Sequence, residues 1–279
     1  MRTNHALRLS AVTSVLLLGA GAIFTVGPTA QAQESCFGAV ATVKDATAGD
    51  DILNGTPGAD VIIGLGGNDT VNGMGGNDRI CTGEGTDTID GGDGADRVSS
   101  GGGDDTIVGG EGTDELRGDD GSDTIEGGDD SDEIVGGNGD DTLRGNGGDD
   151  RVSGGGGEDL IVGQNGVDNL RGGAGTDRMA GGRGGDTLDG QDGHDTLFGD
   201  EDATARFAPP EEPADSDTLR GGAGNDELFG QAGDDNLEGQ AGDDNLDGGQ
   251  DGTNRNNGGA GSDRCVNPDT AGGAVNCER

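Results

Sequence analysis

The chain has no tryptophan and no tyrosine, five phenylalanines in 279 residues, and a single lysine, Lys44. Hydrophobic residues make up 28%, and 16 Lys+Arg face 56 Asp+Glu, which leaves too little apolar material for an ordinary globular core. Catalytic side chains are as scarce. The two histidines are His5 and His194, so an H-E-x-x-H zinc site cannot be built, and no G-x-S-x-G elbow occurs despite 65 glycines. Lys44 lies outside any phosphate-binding loop pattern. No enzyme is expected. A net charge of −40 also argues against nucleic acid as a partner and against membrane insertion, because such a field repels polyanions and attracts cations.

What the chain does have is glycine and aspartate, and their order matters more than their amount. Composition alone describes "GGNGDDTLRGNGGDDRVSG", Gly136 to Gly154, as a flexible acidic linker. Written in nines it becomes "GGNGDDTLR" and "GNGGDDRVS", with Asp in the sixth place of both. That place is occupied by Asp51, Asp60, Asp69, Asp78, Asp87, Asp96, Asp105, Asp114, Asp123, Asp132, Asp141, Asp150, Asp159, Asp168, Asp177, Asp186 and Asp195, seventeen consecutive copies. An apolar residue follows each Asp by two places, from Leu53 to Leu197. Glycine precedes each by two, with Asp130 the one exception in this run. After "GDEDATARFAPPEEPADS", Gly199 to Ser216, the pattern resumes at Asp217, Asp226, Asp235 and Asp244. It then decays, with Asn254 and Asn256 in the Asp and apolar slots, and a last copy, Gly258 to Val266, shifts by one and puts Cys265 in the apolar slot.

A period of 18 lies inside the period of nine. Thr70, Thr88, Thr106, Thr124 and Thr142 alternate with Arg79, Arg97, Glu115, Glu133 and Arg151 in the seventh place. Two nonapeptides therefore make one coil, and alternate strands belong to alternate sheets. The 22 residues from Asp195 to Asp217 are read as 18 plus 4, one full coil with a bulge that keeps the sheet parity, with Phe207 in the apolar slot of the disturbed repeat.

The two ends differ from the middle. Arg2 and Arg8, the apolar run Leu9 to Val26 and the small-x-small triplet Ala30-Gln31-Ala32 compose a secretory signal peptide cleaved after Ala32. An exported, extracellular protein is expected, and losing two arginines takes the net charge from −40 to −42. Four cysteines in an exported chain suggest two disulfides, and four cysteines allow three pairings. Their positions, one pair near each end, favour Cys36–Cys81 and Cys265–Cys277. The expected organisation is a signal peptide (1–32), an N-terminal cap (33–48), repeats (49–198), an irregular loop insertion (199–216), continuing degenerate repeats (217–266) and a C-terminal cap (267–279).

"GGDGADRVS" (Gly91–Ser99), "GGEGTDELR" (Gly109–Arg117) and "GGNGDDTLR" (Gly136–Arg144) match G-G-x-G-x-D-x-U-x at every defined place. The pattern resembles the RTX, or haemolysin-type calcium-binding, repeat family. The resemblance implies an all-β fold: a right-handed parallel β-roll, a two-sheet β-solenoid of 18 residues per coil and about eleven coils. It implies Gly-rich turns, x-U-x strands, and Ca²⁺ between turn i and turn i+2 on Asp carboxylates and backbone carbonyls. The residues agree with this independently. Calcium takes six to eight hard oxygens, glycine adopts the backbone angles that aim carbonyls at one point, and residues 18 apart would stack about 4.8 Å from each other. Asp51 to Asp195 and Asp217 to Asp244, each in the sixth place, are the metal-ligand candidates. Roughly fifteen to nineteen ions would nearly cancel the charge. One apolar side chain per nine residues is little to set against the chain entropy of so much glycine, so calcium binding is expected to be the folding reaction.

Toxins, proteases and lipases of that family carry a large catalytic or pore-forming domain, whereas only about sixteen residues, Gln33 to Ala48, precede the repeats here. The expected role is a secreted calcium-binding structural, matrix or adhesive protein, with calcium ions and an extracellular matrix or surface ligand as partners. The alternatives are a non-catalytic recognition module of the cell exterior, contacting its partner through Gly199 to Ser216, and a fragment derived from a toxin or hydrolase.

Overall fold

A computed structural model describes residues 35–42, 46–200, 215–249, 253–266 and 276–277. The candidate signal peptide and most of the insertion, Phe207 included, lie outside the described residues. The described residues contain strands and no helix. Apart from a small two-stranded hairpin, Ser35–Cys36 with Ala39–Val40, every strand belongs to one of two parallel sheets, one of 11 strands and one of 12. Successive strands alternate between the sheets, and each pairs with the strand one coil earlier and one coil later. Thr124–Asp129 lies between Thr106–Glu111 and Thr142–Gly147 in the twelve-stranded sheet, with Thr124 beside Thr106 and Thr142. Arg97, Glu115, Glu133 and Arg151 stack likewise in the eleven-stranded one. This is a parallel β-roll of 18 residues per coil.

Register explains the choice of residues. Within each strand the apolar eighth place points inward, and the seventh and ninth point out. The inward side chains form one continuous core from Leu53 to Leu246, nearly all of them without solvent exposure. The outer places carry Thr, Arg and Glu, with ion pairs such as Arg97–Glu115 at 2.7 Å.

The fourth place of the repeat is glycine because its backbone needs positive φ: Gly139 has φ 123°, and a Cβ there would clash with the Gly121 carbonyl oxygen. Asp130, the exception in the sequence pattern, takes a left-handed φ of 75°. The second place also has positive φ but admits Asn146 and Gln164, at 77° and 80°.

The insertion differs from the expected bulge. Strand Thr187–Gly193 pairs directly with Thr218–Ala223, and Thr196–Phe198 with Glu227–Phe229. Asp217 therefore stacks on Asp186, 31 residues earlier, where the preceding coils have 18. The 22-residue gap is one repeat plus thirteen extra residues, and Asp217 falls in the sheet opposite Asp195. Both partitions fit the number 22, and only strand pairing tells them apart. Direct pairing across the insertion leaves no ladder position for a strand built on Phe207.

On the outer face beside this point, Val162, Ala180 and Phe198 form a second buried apolar column, with Leu160 and Phe229 against it. Phe198 and Phe229 stack at 5.1 Å.

Both expected disulfides are present, Cys36–Cys81 and Cys265–Cys277. The N-terminal hairpin packs on the outer face of the first strands of the eleven-stranded sheet, with Cys36, Phe37, Ala39 and Ala41 against Val61, Ile63, Leu65 and Cys81. The end of that sheet is closed by Thr42, whose amide donates to the Val61 carbonyl at 2.8 Å. At the other end Cys265 sits beside Leu246 in register, as its apolar slot requires.

Candidate calcium-binding turns

The sixth-place aspartates are the buried polar groups of the roll. From Asp69 to Asp244 every one is 1–3% exposed. They lie in two rows, one along each edge, because alternate repeats turn at opposite edges. Each carboxylate reaches back one coil with Oδ1: the Asp123 amide donates to Asp141 Oδ1 at 2.8 Å, and the Asp132 amide to Asp150 Oδ1 at 2.8 Å. The Asp main-chain carbonyl serves the next coil, where Thr142 N–H donates to Asp123 O. A second ladder runs the opposite way from the fifth place, where Glu158 N–H donates to Asp140 Oδ1. His194 sits exposed in this slot and accepts the Asn225 amide on Nδ1 at 2.7 Å, so it has a ladder role that its variable position does not suggest.

Oδ2 has no such partner. From Asp69 through Asp195, and at Asp217, Asp226, Asp235 and Asp244, this oxygen is buried and makes no hydrogen bond. Its surroundings are oxygen as well. A Cβ added at Gly136 would fall on Asp141 Oδ2 and 2.8 Å from the Gly154 carbonyl oxygen, and Gly118, Gly127, Gly145, Gly154, Gly163 and Gly172 are placed alike. Glycine fills the first place of most turns; Thr82 and Ser100 hold it in the turns of Asp87 and Asp105, whose Oδ2 atoms are buried without a partner all the same.

The electrostatic consequence is large. Burial pushes the carboxyls of Asp69, Asp78, Asp105, Asp132, Asp159, Asp168, Asp235 and Asp244 up to about 6. It takes Asp114, Asp141, Asp150 and Asp195 to about 7, with like charges in the same row adding to the shift. Asp186 and Asp217, which flank the insertion and also face Asp200, reach about 8. An unpartnered buried carboxylate is among the costliest groups a fold can contain. Here such groups recur every nine residues.

Asn254 reveals what these turns need. It stands in the Asp slot and is buried, and its Oδ1 accepts the Asp235 amide at 2.8 Å as an Asp would. In place of the orphan Oδ2 it carries Nδ2, which donates to the carbonyl oxygen of Gly248, the first-place glycine of its own turn. A partial positive charge thus bridges the side chain to the carbonyl. In the aspartate turns an ionised carboxylate needs a cation to do so, and hard oxygens in this number suit calcium. Among the described residues no three His, Cys, Asp or Glu side chains converge to hold a metal ion by themselves. The donor set is carboxylates in file with main-chain carbonyls.

Two of the sequence-predicted residues behave differently. The Oδ2 of Asp51 accepts the Thr47 amide at 2.6 Å and its hydroxyl at 2.9 Å. The Oδ2 of Asp60 accepts the Thr56 amide at 2.6 Å and its hydroxyl at 2.8 Å. One residue of the shifted last copy, not counted among the candidates, behaves as they do: Asp263 accepts the Asp244 amide on Oδ1, and its own Oδ2 is buried without a partner. A single extra residue in the preceding turn moves it out of the nine-residue phase, so that its separation from Asp244 is 19.

Comparison with known protein families agrees with this geometry. The model of the RTX calcium-binding nonapeptide repeat matches residues 45–80, 82–116, 108–143, 135–170, 144–179, 171–203 and 214–246. No curated protein matches the chain. Repeats therefore account for most of the sequence, no catalytic domain is evident, and the chain belongs to the RTX calcium-binding nonapeptide repeat family, as a calcium-binding repeat protein.

Proposed function

We propose that this is a secreted, non-enzymatic protein whose repeats fold into a rod when they meet extracellular calcium, and that the rod serves a structural, matrix or adhesive role. The observation that carries calcium-dependent folding is the file of buried, unpartnered Oδ2 atoms from Asp69 to Asp244. The residues holding the ions would be these aspartates with the first-place main-chain carbonyls beside them, and each ion would supply the counter-charge that the chain itself lacks. Export is supported by the basic-apolar-small pattern of residues 1–32 and by the two disulfides, which persist in oxidising surroundings.

A calcium titration of the metal-free chain, followed by circular dichroism and calorimetry, tests the reading. Parallel-β signal is expected to rise with calcium, with many ions taken up per chain; full β structure in excess chelator would overturn it. N-terminal sequencing of protein recovered from culture medium should begin at Gln33.

The insertion favours a second reading, a recognition module. Strands pair directly across it, so its thirteen extra residues are not needed for stacking. Deleting residues 201–213 should then abolish partner binding and leave the rod intact.

A further inference from the structure

The first coil is built differently from those that follow. In the interior the orphan oxygen of each aspartate calls for a cation, but Asp60 has none to spare. Its Oδ1 accepts the Thr42 hydroxyl at 2.9 Å, and its Oδ2 accepts both donors of Thr56. Thr42 lies 18 residues before Asp60, in the position that an aspartate of a preceding coil would hold. Its hydroxyl oxygen also accepts the Val61 amide at 2.7 Å. Asp51, which opens the other row, is closed by Thr47 in the same way.

This coil also has more apolar cover. Ile62 fills the common core, while Val61 and Ile63 form a separate cluster with Cys36. The Cys36–Cys81 disulfide fastens the hairpin to the second strand of the sheet, and the Arg97 guanidinium lies 4.4 Å over the Phe37 ring.

We propose that the N-terminal hairpin and the first coil, residues 46–63, form a cation-independent folding template, in which Thr47 and Thr56 take the place that calcium holds in the interior turns. Resting on the calcium-driven folding proposed above, this adds an order of events. A solenoid whose repeats touch only their neighbours is limited by forming the first strand pair. A preformed coil removes that step, since it offers Asp51 O and Asp60 O to the amides of Thr70 and Arg79. Calcium-dependent repeats then add from the amino-terminal end, beginning with the turns of Asp69 and Asp78.

Hydrogen exchange on the full, disulfide-intact chain tests this, in excess chelator and in calcium. In chelator the amides of Thr42, Thr56 and Val61 should be protected while those of Thr70, Arg79 and Thr142 are not, and calcium should extend protection to all three. Replacing both threonines, Thr47→Val with Thr56→Val, should lower the chelator protection of the first coil by about tenfold or more. The calcium-loaded dichroism of this variant should match the wild type, which shows that it still folds.

First-coil amides that exchange in chelator as fast as Thr142 would overturn the template. So would a double variant with undiminished protection, since the disulfide alone would then explain it. Thr142 protected in chelator would instead sink the calcium-driven reading itself, which keeps the two failures apart.

Discussion

Asp60 and Asp141 occupy the same slot of the same repeat, and both are buried, yet their carboxyls are perturbed in opposite directions. Burial pushes both up. At Asp60 the hydroxyl and amide of Thr56 and the hydroxyl of Thr42 outweigh it and hold the group below the ordinary value. At Asp141 one backbone amide opposes burial and the charges of Asp159, Asp123 and Asp140, and the group rises to about 7. Position in the repeat brings a carboxylate into the roll; what sits four residues upstream decides whether that carboxylate needs a cation. A Thr there supplies two donors, whereas Gly137, four residues before Asp141, has no side chain.

This contrast can be broken most sharply with pH. Without metal, Asp69, Asp141 and Asp186 have folded values of about 6, 7 and 8 against an ordinary 3.8. Their contribution to the metal-free fold is full below the unfolded value and is lost as pH rises through 6 to 8. Asp60 has the opposite sign: its contribution is present above the unfolded value and is lost as pH falls through the depressed folded one. In chelator, lowering the pH from 8 toward 5 should therefore raise the interior β content seen by circular dichroism. Continuing toward pH 3 should begin to loosen the first coil seen by exchange. A metal-free chain whose interior ordered on raising the pH would contradict the burial argument.

Leu143→Ala removes a fully buried side chain from the shared core and should cost about 2–5 kcal/mol in calcium, measured by denaturant unfolding. Exchange in the first coil should barely change, because each repeat touches only its neighbours. Substituting amide for acid compares the two kinds of turn directly. Asp141→Asn keeps the Oδ1 acceptor for the Asp123 amide and removes the orphan charge. It should destabilise the calcium-loaded rod by about 1–3 kcal/mol and stabilise the metal-free one, with at least one fewer ion by calorimetry. Asp60→Asn should weaken both states without changing the ion count, because its Oδ2 already has donors.

The smallest effect is expected at Gly147, in the third place, where a Cβ would lie 3.7 Å from Asp129 Oδ1 and φ is not positive. Gly147→Ala should change the unfolding midpoint by less than about 0.5 kcal/mol in stability. Gly139→Ala, forced to φ 123° against the Gly121 carbonyl, should cost about 1–3 kcal/mol.

Much of the site was legible because a repeat amplifies its own signal. The aspartate slot, the inward apolar slot and the alternation of Thr with Arg or Glu all follow from phase, and the pairing of Thr124 with Thr106 and Thr142 agrees with them. Reading failed where phase failed. Asp263, in the copy that shifts by one, was left out of the candidates, and the parity of Asp217 was hidden by a gap that divides two ways. Thr47 and Thr56 were invisible for another reason: they fall in a place that also takes Gly, Asn and Gln, and only the hydrogen bonds show that their hydroxyls matter.

The sequence by itself determined the period of the coil, the residues that face inward and the row of carboxylates. A nine-residue rhythm with one apolar side chain and one carboxylate per beat has no other way to bury both. Tertiary structure decided which carboxylates are left wanting. Hydrogen bonds that satisfy Oδ1 come from a residue 18, 19 or 31 positions away, and those that satisfy Oδ2 exist at Asp51 and Asp60 but not at Asp69. Such donors are fixed by strand pairing and turn closure, neither of which is written in the local order of residues.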